Sequence, residues 1–245
     1  MTVKNNQQTS ISSAQGTITF SSKRIWADFE LAIVGLALLS LAGQALRFLT
    51  VYDEAFGLIP LVFMGKPLSI PTIFTVLLYF VTFMLLGLIA AIKVANKTRF
   101  RWQWCGLAGL ALYLTFDKGT ALHTYVFKQL RTWVGGRLSF FPTHRWEFSL
   151  VLILIILAAF YIKFIVALPK KTRLLALLSL ATYYAGFLVI ERFGDDFAAI
   201  YTTNSLIYSL LLTLGKTLQM SGLAAAVFTL LDYIQITLPR LSLEN

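Results

Sequence analysis

Residues 71–94 read PTIFTVLLYFVTFMLLGLIAAIKV, 24 residues in which Lys93 is the single charge. At about 1.5 Å of rise per residue such a helix reaches about 36 Å, enough to cross a hydrocarbon core of about 30 Å. Pro71 stands in the first turn, where a missing N–H leaves no helical bond unmade. A transmembrane helix is the economical reading. Outward from it, five further runs have comparable length and character: 25–49, 102–123, 146–168, 173–191 and 205–236. Pro169 closes the fourth and is followed by a basic hinge. The expected fold is all-α, a polytopic membrane protein built as a bundle of six transmembrane helices.

Composition agrees. Of 245 residues, 58% are hydrophobic and 13% charged, whereas soluble chains carry about 25% charged residues. A soluble domain of this composition would lack the charge to cover its surface. Residues 1–22 are rich in Thr, Ser, Asn and Gln and cannot bury enough apolar surface to offset their ordering entropy. They are expected to form a disordered cytoplasmic tail before a transmembrane domain over 23–238, with a short cytoplasmic tail at 239–245. The first apolar run is too long for the h-region of a signal peptide. Between the first two spans, residues 58–64 suggest a short re-entrant or interfacial piece, made irregular by Pro60, Gly65 and Pro67.

The net charge of +10 collects at the ends of the apolar runs. Lys4, Lys23 and Arg24, then Lys93, Lys97, Arg99 and Arg101, then Lys163, Lys170, Lys171 and Arg173 fall on one side of alternating helices. Asp53, Glu54, Asp195 and Asp196 fall on the other. The positive-inside rule then puts both termini in the cytoplasm. Lys128, Arg131, Arg137 and Arg145 lie on the predicted outer side. Residues 120–137 therefore read either as an interfacial helix or as a continuation of the third span. The expected setting is a multi-pass protein of the bacterial cytoplasmic (inner) membrane.

An ionisable group within a span is costly, about 2.5–3.5 kcal/mol on insertion scales, so each needs a partner or water. Arg47, Asp117, Lys118, His123, Glu191, Lys216 and Gln219 are the candidate ligand-binding residues of a buried pocket opening outward. Ser40, Gln44 and Arg47 share one helical face, and Tyr184 shares a face with Glu191. Ser205, Ser209, Thr213, Lys216, Gln219 and Met220 form one stripe of the last helix, expected to face the interior. Lys216 lies too deep for its stem to reach either interface, and Asp117 is its expected partner. On a straight helix His123 points about 120° away from Asp117, which speaks against a dyad. The same charged groups, with Arg192, also read as ion pairs that only fix helix register. Cys105, alone of its kind, reads as a small buried apolar residue, and His144 as a solvated loop residue.

No catalytic residue, metal site or cofactor is assigned. Nucleophile elbow, Walker loop, HExxH and CxxC motifs are absent from the sequence. The expected partners are the lipid bilayer, a lipid or small-solute ligand and a membrane-protein partner, with no nucleic acid. Two alternatives stand beside a pocket that binds or passes a small solute, anion or lipid headgroup. One is an intramembrane metal-dependent hydrolase using His123, Asp117 and Glu191; the other is an accessory subunit of a membrane complex.

The run Leu114-Thr-Phe-Asp117-Lys118-Gly119-Thr-Ala-Leu122-His123 resembles a segment of a group of uncharacterised bacterial six-helix membrane proteins. There the segment reads Leu-Asp-Glu-Gly-Ala-Ser-Ile-His-Glu. Leu214 to Gly222 resembles the last helix of that group, Leu-Glu-Glu-Gly-Leu-Glu-Met-x-Gly, and Glu191 to Gly194 its fifth-helix Glu followed by Gly. Lys118, Thr124, Gly215, Lys216 and Gln219 stand where the group has carboxylates. The resemblance implies a pocket whose field is reversed from acidic toward basic, suited to an anion or phospholipid headgroup. A more distant likeness to alkaline ceramidase-type hydrolases lacks their paired-His spacing.

Overall fold

The computed structural model describes residues 21–49, 58–64, 66, 68–120, 122, 125, 129, 155, 159–191 and 205–241. Among these all regular secondary structure is helical. The elements are α1 (Ser22–Leu49), α2 (Leu58–Val62), α3 (Ile70–Ala95), α4 (Arg101–Thr120), a helical stretch at 159–167, α5 (Lys170–Tyr184) continuing as a π-helical segment (Ala185–Glu191), and α6 (Leu206–Leu241). Among the described residues, three helical runs are long and apolar enough to cross a membrane: Ser22–Phe48, Ile70–Ala95 and Leu206–Thr237.

The decisive run behaves as its composition dictates. Ser69 caps α3 by accepting the Thr72 N–H at 3.4 Å, and Pro71 occupies the first turn. The far end closes in a Schellman-type cap: Lys97 N–H reaches Val94 O and Thr98 N–H reaches Lys93 O, both at 3.0 Å. Lys97 takes the left-handed conformation usually given to glycine, with φ 48°. Ile73, Leu77, Phe80, Met84 and Leu88 form an exposed apolar stripe along α3, opposite the buried Thr75, Leu78, Tyr79, Thr82, Leu86 and Ile89. Such a stripe is unfavourable in water and suited to lipid.

The central element is α6, which packs against α1, α3, α5 and the π segment. Its glycines permit this. A Cβ on Gly222 would stand 2.6 Å from Tyr183 N, and a Cβ on Gly186 2.5 Å from Gly215 O. The α5–π rod and α6 thus cross backbone to backbone, a contact that only small residues allow in membranes. Ser179 Oγ donates across the crossing to Gly222 O at 2.8 Å.

Two apolar clusters fill the bundle. One holds Ile33, Met64, Leu78, Tyr79, Met220, Leu223 and Ala224. The other holds Leu86, Ile89, Ala90, Trp104, Ala108, Ala111, Tyr161, Phe164 and Tyr233. The latter lies where α1 and α5 begin and α3 and α6 end, next to Lys93, whose ammonium sits 5.7 Å from the Tyr233 ring. We term this the basic end.

Several expectations shift in detail. The 58–64 piece contains a short helix, α2, with Pro60 tolerated inside its first turn. Pro169 serves as the N-cap of α5. The fifth helix begins earlier, at Lys170, and loosens to a π-helix from Ala185. Of residues 120–137, Thr120 ends α4, while Leu122, Tyr125 and Gln129 are helical and exposed; the interfacial reading lies mostly outside the described residues. His123, His144 and Arg192 also lie outside them.

Candidate functional site

Away from the basic end, α1 and α6 meet along polar stripes. Thr213 donates its hydroxyl to Ser209 O at 2.9 Å, so its lone pair faces outward from the helix. Gln44 meets it with its amide nitrogen at 2.8 Å and reaches Ser40 Oγ at 3.0 Å. Met64 N–H, just past α2, also donates to Ser40 Oγ, at 3.3 Å. Thr217 donates to Thr213 O at 2.7 Å and lies 3.8 Å from Met64 Sδ. Ser40, Gln44, Ser209 and Thr213 are each 3% exposed or less. The two stripes anticipated from helical spacing therefore close on each other.

This geometry fixes the Gln44 amide, because Thr213 has already used its proton. Its Oε1 is left without a hydrogen-bond partner, as is Gln219 Nε2. Both side chains are 2% exposed. An unpartnered buried acceptor and donor are each costly, about 1–3 kcal/mol, which makes them candidates for contact with a bound polar molecule.

Two of the charged candidates, Asp117 and Lys216, stand beyond the Ile33–Ala224 cluster on the side away from the basic end. Leu114 and Met220 both pack in that cluster. One turn outward along α4 is Asp117, and one turn outward along antiparallel α6 is Lys216, which puts the two at matching depth. Asp117 acts electrostatically on Tyr79 and Tyr113. Tyr79 and Tyr183 share a hydroxyl–hydroxyl hydrogen bond of 2.5 Å. Arg47, Asp117, Lys118 and Lys216 are half-buried, and each is engaged by a polar, ring or electrostatic contact. Glu191 ends the π segment, and α-helices that loosen in this way do so frequently at functional sites.

Three polar features were not singled out from sequence. Glu30 lies inside the first apolar run, accepting from Trp26 Nε1 at 3.1 Å and from Ser221 Oγ at 2.9 Å. Asp232, also within a run, takes Lys171 Nζ at 2.5 Å. Both follow the rule that an ionisable group in a span marks a partner. The Tyr79–Tyr183 pair had no such signal, because isolated tyrosines in apolar runs are ordinary.

Among the described side chains, the layer offers the Lys216 ammonium, the Tyr79 and Tyr183 hydroxyls and the Gln219 amide N–H₂ beside the Asp117 carboxylate and the Gln44 Oε1 acceptor. No three His, Cys, Asp or Glu side chains stand together among the described residues. Residues 29–234 match a family model described as a domain of unknown function (DUF8692). No curated protein and no solved structure matches.

Proposed function

The chain belongs to the DUF8692 family, and on that premise we propose that it is a six-helix protein of the bacterial cytoplasmic membrane whose outward polar layer binds or passes a small solute, anion or lipid headgroup. The carrying observation is the pair of buried amide atoms without partners, Gln44 Oε1 and Gln219 Nε2. Lys216 and Asp117 at matching depth supply charge, and Arg47, Lys118, His123 and Glu191 complete the lining. The proposed topology has cytoplasmic termini, a tail over 1–22, the bundle over 23–238 and a tail over 239–245. The gathering of the α1 and α5 starts with the α3 and α6 ends at one basic end supports that orientation, because it brings three basic clusters together.

Proteoliposomes with chloride, inorganic phosphate or glycerophosphoglycerol as probes test the reading. Saturable binding or uptake of a probe is expected, retained by Lys66→Gln and reduced ~10-fold or more by Lys216→Met. Equal behaviour of wild type and Lys216→Met with every probe overturns it. In a Cys105→Ser background, Lys97→Cys and Lys171→Cys should be labelled from the cytoplasm only, and Asp195→Cys from outside only. Labelling of Asp195→Cys from the cytoplasm sinks the topology.

A further inference from the structure

We propose that a groove at the basic end, between the α3–α4 turn and the helical stretch at 159–167, seats the headgroup of an anionic phospholipid. The groove has a volume of about 360 Å³ and is lined by Arg99, Phe100, Ile162, Lys163, Val166 and Ala167. It is separate from the polar layer, which lies toward the opposite end of the bundle.

The turn is built to present Arg99. Lys97 and Phe100 both hold left-handed backbone, φ 48° and 65°, although neither is glycine. Such conformations are unfavourable for a residue with a Cβ and persist only where surrounding contacts impose them. The contact here is the Phe100 ring, which meets Phe164 edge-on at 5.9 Å between centroids. The Arg99 guanidinium carbon lies 4.7 Å from the Phe100 ring centre. A guanidinium held beside an aromatic ring keeps its planar set of N–H donors, which suits a phosphate. Lys163 brings a second cation from a different element, so an anion there is held from two sides.

The remaining lining selects a lipid over a free anion. Ile162 and Val166, one helical turn apart, are 59% and 62% exposed and give an apolar strip for an acyl chain. The depth fits as well. Trp102, at the start of α4, is 70% exposed, as aromatics at headgroup level are. Basic pockets between helices at that level attract anionic lipids.

Full-length protein in neutral detergent is titrated with phosphatidylglycerol, phosphatidylcholine or inorganic phosphate, read by native mass spectrometry and by melting temperature. Phosphatidylglycerol is expected to bind and to raise the melting temperature, and phosphatidylcholine and phosphate to do neither. Arg99→Gln with Lys163→Gln should weaken phosphatidylglycerol binding ~10-fold or more, as loss of two charge-assisted contacts implies. Lys23→Gln with Arg24→Gln removes equal charge outside the groove and should leave binding unchanged. Equal loss in both double variants reduces the effect to general charge and overturns the proposal. Equal response to phosphate makes the groove a free-anion site and overturns it too, as does equal binding of phosphatidylcholine.

Discussion

At the α2 side of the bundle, Thr213 and Thr217 turn their hydroxyls back to carbonyls of their own helix, and Gln44 needs only neutral partners. Twenty residues along the same α6, about 30 Å away, Tyr233 stacks on Trp104, while the neighbouring Asp232 takes the ammonium of Lys171. One region is neutral, buried and hydrogen-bonded within the protein; the other is charged and aromatic. Burial within the bundle accounts for the difference. A hydroxyl can be satisfied by a helix carbonyl one turn back, so it is tolerated far from water. A charge needs water or a counter-charge, and Lys171 is 59% exposed while Asp232 is 11% exposed at its side chain. Between the two regions stands the level of Asp117 and Lys216, where charge returns at depth.

The strongest way to break this comparison is to remove the scaffold both regions share. Gly222→Leu puts a side chain against the Tyr183 backbone, which cannot yield as a flexible side chain can. Loss of monodisperse protein on size exclusion is expected, whereas Gly87→Leu, which meets nothing within 4 Å, should stay folded. Next comes the intermediate level. Asp117→Leu and Lys216→Met should each lower stability by ~3–5 kcal/mol if they form one buried pair, with the double variant recovering most of the loss. Simple additivity in detergent melting curves would remove the pair and leave Lys216 as part of a water-filled cavity.

At the basic end, Lys171→Met strands Asp232, whose Oδ2 already has no hydrogen-bond partner. A loss of ~2 kcal/mol is expected, below the buried-pair value because Lys171 is solvated. Asp232→Leu should be milder, since the lysine returns to water. The smallest effect belongs to Gln44→Leu, ~1 kcal/mol, because interhelical hydrogen bonds in membranes contribute little and Thr213 keeps its bond to Ser209. A loss above that of Lys171→Met would reverse the ranking of the two regions.

Legibility from sequence followed the same division. Polar stripes on α1 and α6 were readable, because Ser40 and Gln44 on one helix, and Ser209, Thr213 and Gln219 on the other, repeat at helical spacing. Glu30 and Asp232 were readable in principle as charges inside apolar runs. The left-handed Phe100, the π segment and the Tyr79–Tyr183 bond were not, because each arises where a non-local neighbour overrides local preference.

By itself, the sequence determined that long apolar helices dominate, that their polar residues face inward and that basic residues sit at helix ends. Each follows from the cost of moving polar groups into hydrocarbon, a property of composition and period alone. Tertiary structure decided which stripe meets which. The glycine crossing of α5 and the π segment on α6 aligned Tyr183 with Tyr79. The Schellman turn after α3 brought Arg99 to the groove that Lys163 also lines. Those pairings depend on how closely two backbones approach and in what register, and no local pattern in a chain encodes that distance.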